Sequence, residues 1–199
     1  MDKSNSQISN QALLAHHLGQ SHLVLQQTAE VNLEALIRAT EVVTRTLQLG
    51  HKLLLCGNGG SASQSQHIAA EFVGRYLKER PGVPAIALTT DTSNLTAIGN
   101  DYGFELVFAR QIEALAQSGD VLIGLSTSGR SANVLKAVEV AKSRGVTTIG
   151  FTGGEGKPLS DQVDIAIVVP SESTPHIQEA HIAMLHALCG AVETALFGD

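Results

Sequence analysis

The chain reads as an α/β protein: a doubly wound, five-stranded parallel sheet of order 2-1-3-4-5, covered by helices on both faces and preceded by a helical arm. Three observations predict this. From residue 52 onward, short continuous apolar runs alternate with helical patterns, as parallel strands buried on both faces require. Before residue 50 there is no strand pattern, only about 40 residues of helical periodicity. Two apolar runs end in small, donor-rich turns that open helices: Lys-Leu-Leu-Leu-Cys-Gly-Asn-Gly-Gly-Ser at 52–61 and Asp-Val-Leu-Ile-Gly-Leu-Ser-Thr-Ser-Gly-Arg-Ser at 120–131. Right-handed crossovers then place the ends of the first and third strands side by side at the switch point of the sheet, where ligands bind.

The elements follow in order. The arm, at 8–49, carries Leu13, Leu14, Leu18, Leu23, Val24, Val31, Leu33, Leu36, Ile37, Val42, Val43 and Leu47 at helical spacing and stops at Gly50. It has more apolar surface than one small sheet can cover, which predicts packing between subunits; the alternative is a local helical hairpin on its own sheet. Strands are predicted at Lys52–Cys56, Pro84–Leu88, Asp120–Leu125, Val146–Phe151 and Asp164–Val169, and helices near 62–77, 91–98, 104–117, 131–144 and 175–197. With no linker or repeat, the arm at 1–50 and the α/β part at 51–199 form one structural unit.

Composition narrows the function. The 199 residues fit one domain, and a net charge of −6 without a basic run excludes nucleic acid as the main ligand and leaves a small metabolite. Cys56 ends an apolar strand and Cys189 lies on the apolar side of a helix, so both read as buried thiols of a reducing compartment. The opening Met-Asp-Lys-Ser-Asn-Ser-Gln lacks the order of a secretory signal, and no apolar run approaches the ~20 residues of a membrane span. A cytoplasmic protein without a membrane partner is expected.

The two turns carry the chemistry. Each aims backbone N–H groups at an anion, with a helix dipole behind them, and Ser61, Ser126, Thr127, Ser128 and Ser131 add hydroxyl donors; together they predict a phosphate site. Nucleotide readings fail. Gly57-Asn58-Gly59-Gly60-Ser61-Ala62 satisfies a dinucleotide pattern, but the acid wanted about 20 residues on is missing, the first being Asp91. Gly153-Gly154-Glu155-Gly156-Lys157-Pro158 has Phe151 where a P-loop needs glycine and Pro158 where it needs Ser or Thr, so it is a turn.

On the helix at 62–77, Ala69, Phe72, Val73 and Tyr76 fall on the apolar side, with Gln64, His67, Glu71 and Arg75 opposite. His67 and Glu71, at i, i+4, can act as a proton-transfer carboxylate with its neighbour, as metal ligands, or as a plain surface pair. On the last helix Ile182, Leu185, Leu188, Cys189, Val192 and Leu196 make an apolar stripe on which Gln178 begins, His181 lies within and His186 borders. Spacing does not choose between the two histidines, and a histidine on an apolar face is more often a satisfied core residue. His16, His17, His22 and His51 read as surface or packing residues.

Cys-Gly-Asn-Gly-Gly-Ser-Ala at 56–62, Gln-His-Ile-Ala-Ala-Glu-Phe at 66–72, Gly-Arg-Tyr at 74–76, Gly-Asn-Asp at 99–101, Ser-Thr-Ser-Gly at 126–129 and Ile-Gln-Glu at 177–179 resemble the phosphoheptose isomerases of the sugar isomerase (SIS) domain family over essentially the whole chain. The resemblance implies interconversion of sedoheptulose 7-phosphate and a glycero-manno-heptose 7-phosphate, an early step towards heptose for lipopolysaccharide or other surface glycans. It implies Glu71 and His186 as the acid/base residues and a zinc ion on His67, Glu71, Gln178 and His186. Substrate contacts are implied at Asn58, Gly59, Gly60, Glu71, Asn100, Asp101, Ser126, Thr127, Ser128, Ser131 and Gln178. No nucleotide cofactor is needed, and a homotetramer with sites built across subunits is implied. Many relatives carry Arg before the Ile-Gln-Glu, where this chain has His176 after Pro175. The competing class is a non-catalytic sugar-phosphate-binding or replication-initiator-associating SIS protein; initiator-associating relatives have lost the catalytic pair, which this chain keeps.

Overall fold

The computed structural model describes residues 9–198; the stretch 1–7 and Ile8, the first residue expected in the arm, lie outside it. The arm is one uninterrupted helix, α1 (Asn10–Gln48), of 39 residues, about 58 Å long. It is not a hairpin. Ser9 Oγ accepts the Ala12 N–H at 3.2 Å and so caps its start, and Gly50, at φ +80°, turns the chain away after its end.

The α/β part then alternates: β1 (Leu53–Gly57), α2 (Gly60–Val73), β2 (Ala85–Ala87), α3 (Thr92–Tyr102), a single 3₁₀ turn at Phe104–Leu106, α4 (Ala109–Leu115), β3 (Val121–Ser126), α5 (Ala132–Ser143), β4 (Thr147–Gly153), α6 (Leu159–Gln162), β5 (Ile165–Val169) and α7 (Thr174–Phe197). All four strand pairs are parallel and the order is β2-β1-β3-β4-β5, as expected. Two helices differ from the expectation. α2 stops at Val73 rather than 77, so Tyr76 lies beyond its helical face, Val73 at its end is exposed, and the expected helix at 104–117 is divided after Leu106.

Alternate strand residues explain why both faces must be covered. Leu53 and Leu55 of β1 pack with Ile123, Phe151, Ile68, Phe72 and Leu185 on the α1–α2–α7 side. Leu54 and Cys56 pack with Leu122, Phe108, Ile112 and Val138 on the other. Beyond the core, α1 covers the edge strand: Asn32 donates to the Val168 carbonyl at 2.9 Å and accepts the Val168 N–H at 2.9 Å. The amino ends of the strands are pinned by acids. Asp120 accepts from the Lys52 backbone N–H and ammonium and from Gln117 N–H, and Asp164 accepts from Thr148 N–H and Oγ1. The carboxyl ends remain for the site.

α7 corrects one expectation. At 24 residues with a mean hydropathy of 1.4 over its most apolar window, it is long and apolar enough by length and composition to cross a membrane. His176, Gln178, His181, His186 and Glu193 interrupt the apolar run, and Ile177, Met184, Leu185, Leu188 and Val192 are buried in the core. Cys56 and Cys189 are free and buried, and burial pushes each thiol up to about 12.

Candidate active site

The two donor-rich turns stand where the sheet topology puts them, at the carboxyl ends of the adjacent strands β1 and β3. They are tied together. Asn58 Nδ2 donates to Asn133 Oδ1 at 2.9 Å, and Asn133 Nδ2 donates back to Asn58 Oδ1 at 2.8 Å, so one reciprocal amide pair bridges the crevice. Asn133 was not among the expected site residues. Its signal was weak, a single polar residue early in α5, and only the buried position gives it meaning.

In the β3 turn the Ser126 and Ser131 hydroxyls lie 2.8 Å apart, Ser128 Oγ accepts the Arg130 N–H at 3.2 Å, and Gly129 sits at φ +67° with its α-carbon close against the Gly156 carbonyl. A side chain at 129 would meet both the strained backbone region and that carbonyl. Thr127 and Ser128 face a cleft of about 280 Å³ whose other walls include Arg130, Lys157, Glu172 and Ile177. The stretch 153–158 is a turn, as expected, yet it contributes Lys157 to this cleft. Asn58 and Gly59 line a smaller cavity of about 130 Å³ on the β2 side. Asn100 and Asp101 are exposed on α3 and hydrogen-bond to each other at 2.7 Å; they do not join either group through hydrogen bonds.

The second group is built from α2 and α7. His67 Nε2 lies 2.9 Å from His186 Nε2 and 3.2 Å from Glu71 Oε1, and one ligand atom from each of the three lies within 4.8 Å of the others. Tyr76 stacks on the His186 ring at 5.7 Å, an arrangement helical spacing could not reveal because α2 ends before it. Gly190 permits it: a Cβ there would lie 3.3 Å from the Tyr76 ring. The segment after α2 is fixed by a buried ion pair. Glu193 accepts from Arg80 Nε at 3.0 Å and from the N–H groups of Tyr76, Leu77 and Lys78, while Arg80 donates to the carbonyls of Phe72 and Glu71. Burial alone would raise the Glu193 carboxyl; those donors outweigh it and hold it below the usual range.

Of the two histidines left open by spacing, His181 is wholly buried with Nε2 donating to the Thr152 carbonyl at 3.1 Å, and burial lowers it to about 4, so it is a neutral core residue. His186 is the one that meets His67 and Glu71. Gln178 does not. It lies eight residues before His186 on the same helix, about 12 Å along its axis, and is held at the start of α2, where a Cβ on Gly60 would come within 2.5 Å of its Nε2 and Gln64 donates to its carbonyl at 2.7 Å. Within one chain, therefore, Gln178 and its neighbour Ile177 belong to the cleft end of α7, two turns from the histidine pair.

The donor set fits a zinc-class cation. Two imidazole nitrogens 2.9 Å apart, with a carboxylate oxygen 3.2 Å from one of them, are the nitrogen and oxygen donor types that zinc takes.

A SIS domain model matches residues 16–153. The phosphoheptose isomerase of Trichlorobacter lovleyi is 53% identical over 189 residues, covering 94% of this chain and 96% of its own. The structure of the phosphoheptose isomerase from Francisella tularensis matches with a TM-score of 0.91 at 36% identity, and that from Neisseria gonorrhoeae with 0.89 at 42%, each over 94% of this chain and all of the other. The chain belongs to the SIS domain family and, within it, to the phosphoheptose isomerases.

Proposed function

We propose that this protein interconverts sedoheptulose 7-phosphate and D-glycero-D-manno-heptose 7-phosphate through an enediol, an early step of heptose supply for lipopolysaccharide or other surface glycans. The observation that carries the reading is the meeting of one half-buried carboxylate with two imidazoles on a scaffold shared with the phosphoheptose isomerases.

Glu71 takes the proton from C1 or C2 and returns it to the neighbouring carbon, and His186, held in plane by Tyr76, moves the proton between the two oxygens. Ser126, Thr127, Ser128 and Ser131 bind the phosphate. Asn58, Gly59, Gly60, Asn100, Asp101 and Gln178 contact the sugar, with the Asn58–Asn133 pair fixing the distance between the two turns. His67, Glu71 and His186 would hold zinc, and Gln178, two turns away in the same chain, could be a fourth ligand only from a neighbouring subunit; bound there, the ion would supply polarisation of the sugar carbonyl. No nucleotide cofactor takes part.

Separation of Gln178 from His186 along α7 favours sites completed between subunits, in a homotetramer whose arm at 1–50 is the oligomerisation element and whose 51–199 part carries the chemistry. The exposed Leu13, Leu14, Leu18, Val31, Leu33 and Ile37 of α1 support this. The free, buried Cys56 and Cys189 suit a cytoplasmic location.

The reaction is tested by incubating the purified protein with sedoheptulose 7-phosphate and following aldoheptose 7-phosphate by NMR; absence of conversion overturns the reading. Shared sites are tested by mixing two inactive variants, Glu71→Gln and Gln178→Ala, by denaturation and joint refolding. Recovered activity supports composite sites, and none beyond that of the separately refolded variants refutes them.

A further inference from the structure

A second set of metal-type donors forms where the arm meets the last helix, apart from the His67 group. His17, on the third turn of α1, places Nε2 2.9 Å from Glu179 Oε1. One turn later Ser21 donates Oγ to Glu179 Oε2 at 2.6 Å, and His176 Nδ1 lies 3.1 Å from that same oxygen and 3.1 Å from Ser21 Oγ. The two imidazole rings lie 4.5 Å apart, and one ligand atom from each of His17, His176 and Glu179 falls within 4.8 Å of the others. The spacing is i, i+4 on one helix and i, i+3 on the other, so each helix turns two donors towards one point.

We propose that His17, His176 and Glu179 bind a second divalent transition-metal ion of the zinc class, which clasps the first turns of α1 to α7. Two imidazole nitrogens and a carboxylate oxygen, with one position open, are a zinc-type set, whereas calcium and magnesium favour oxygen alone. Access and anchoring are both present: His17 and Glu179 are 45% and 44% exposed, and His176 only 12%. The carboxylate is kept ready. Its two oxygens already face the other donors, Oε1 towards His17 and Oε2 towards Ser21 and His176. An exposed ion pair alone would hold this junction weakly. Within its own chain this part of the arm has little apolar cover, since Leu13, Leu14 and Leu18 are exposed there, so the polar contacts to α7 are what join it to that helix.

The full-length protein, stripped with a chelator, is titrated with zinc by calorimetry, with hydrogen exchange of residues 10–22 as a second readout. The wild type is expected to bind two equivalents per chain. The His17→Ala/His176→Ala variant should lose one, together with the zinc-dependent slowing of exchange in the arm. A His67→Ala/His186→Asn variant should lose the other equivalent and keep that slowing. Because the two sites are removed separately, failure here and failure of the zinc reading of the His67 group are distinguishable. A His17→Ala/His176→Ala protein that binds as much zinc as the wild type, with unchanged affinity, overturns the proposal. So does a wild type whose only zinc disappears with His67 and His186.

Discussion

At the scale of single residues, the two histidines of α7 separate by environment rather than by spacing. Glu71→Gln keeps shape and removes the base, so turnover should fall at least ~10²-fold with substrate binding largely kept. His186→Asn should do the same and His181→Asn should be milder, as steady-state kinetics on the three variants would show. His181 instead governs stability. Its folded value, about 4, lies below the 6.5 of an unfolded histidine, so the unfolded chain binds the proton first as pH drops. The contribution is complete above about pH 6.5 and is lost as pH falls towards 4, by about 3 kcal/mol. Urea midpoints at pH 7 and pH 4.5 should therefore diverge more for the wild type than for His181→Asn. Neither Tyr76 against His186 nor His17 beside Glu179 could be anticipated from the chain, because each partner lies more than a hundred residues away.

At the scale of elements, Asn32 is the join between arm and sheet. Asn32→Ala leaves both the N–H and the carbonyl of Val168 without a partner beneath α1 and should cost about 2–3 kcal/mol, measured by chemical denaturation. Asn32 is a polar residue in an apolar pattern, and its buried role is invisible in periodicity. The strands were legible because β1, β3 and β4 are buried on both faces and so read as unbroken apolar runs. Their order followed from right-handed crossovers alone. Helix ends were less legible: α2 stops at Gly74 because the Arg80–Glu193 pair fixes the following segment, and Glu193 lies 113 residues from Arg80. In the site, the turn serines and the His67–Glu71 spacing were readable in the chain. The eight-residue separation of Gln178 and His186 on one helix was readable too; what the chain did not reveal is that only His186 meets His67 and Glu71.

At the scale of the whole molecule, α1 is the element whose apolar surface exceeds what its own chain covers. Its second half seals the core through Ala39 and Val43, while Leu33, Leu36 and Ile37 line an apolar groove with Ala187 and Ala191 of α7. Deleting residues 1–49 should give smaller, aggregation-prone and inactive species by sedimentation and assay. A full-length chain that sediments as a monomer while remaining active would refute the assembly.

The junction of α1 with β5 and α7 also sets an order of events during synthesis. α1 finds its partners only long after it is made: Asn32 and Val168 are 136 residues apart, and α7 begins at Thr174. A nascent chain therefore carries a long amphipathic helix with no resting place until α7 has been made, a non-local pairing that slows folding and invites chaperones. Stalled or nonsense-truncated chains ending before residue 174 should be captured and degraded rather than accumulate, so synthesis of α7 is the step that gives the arm its cover.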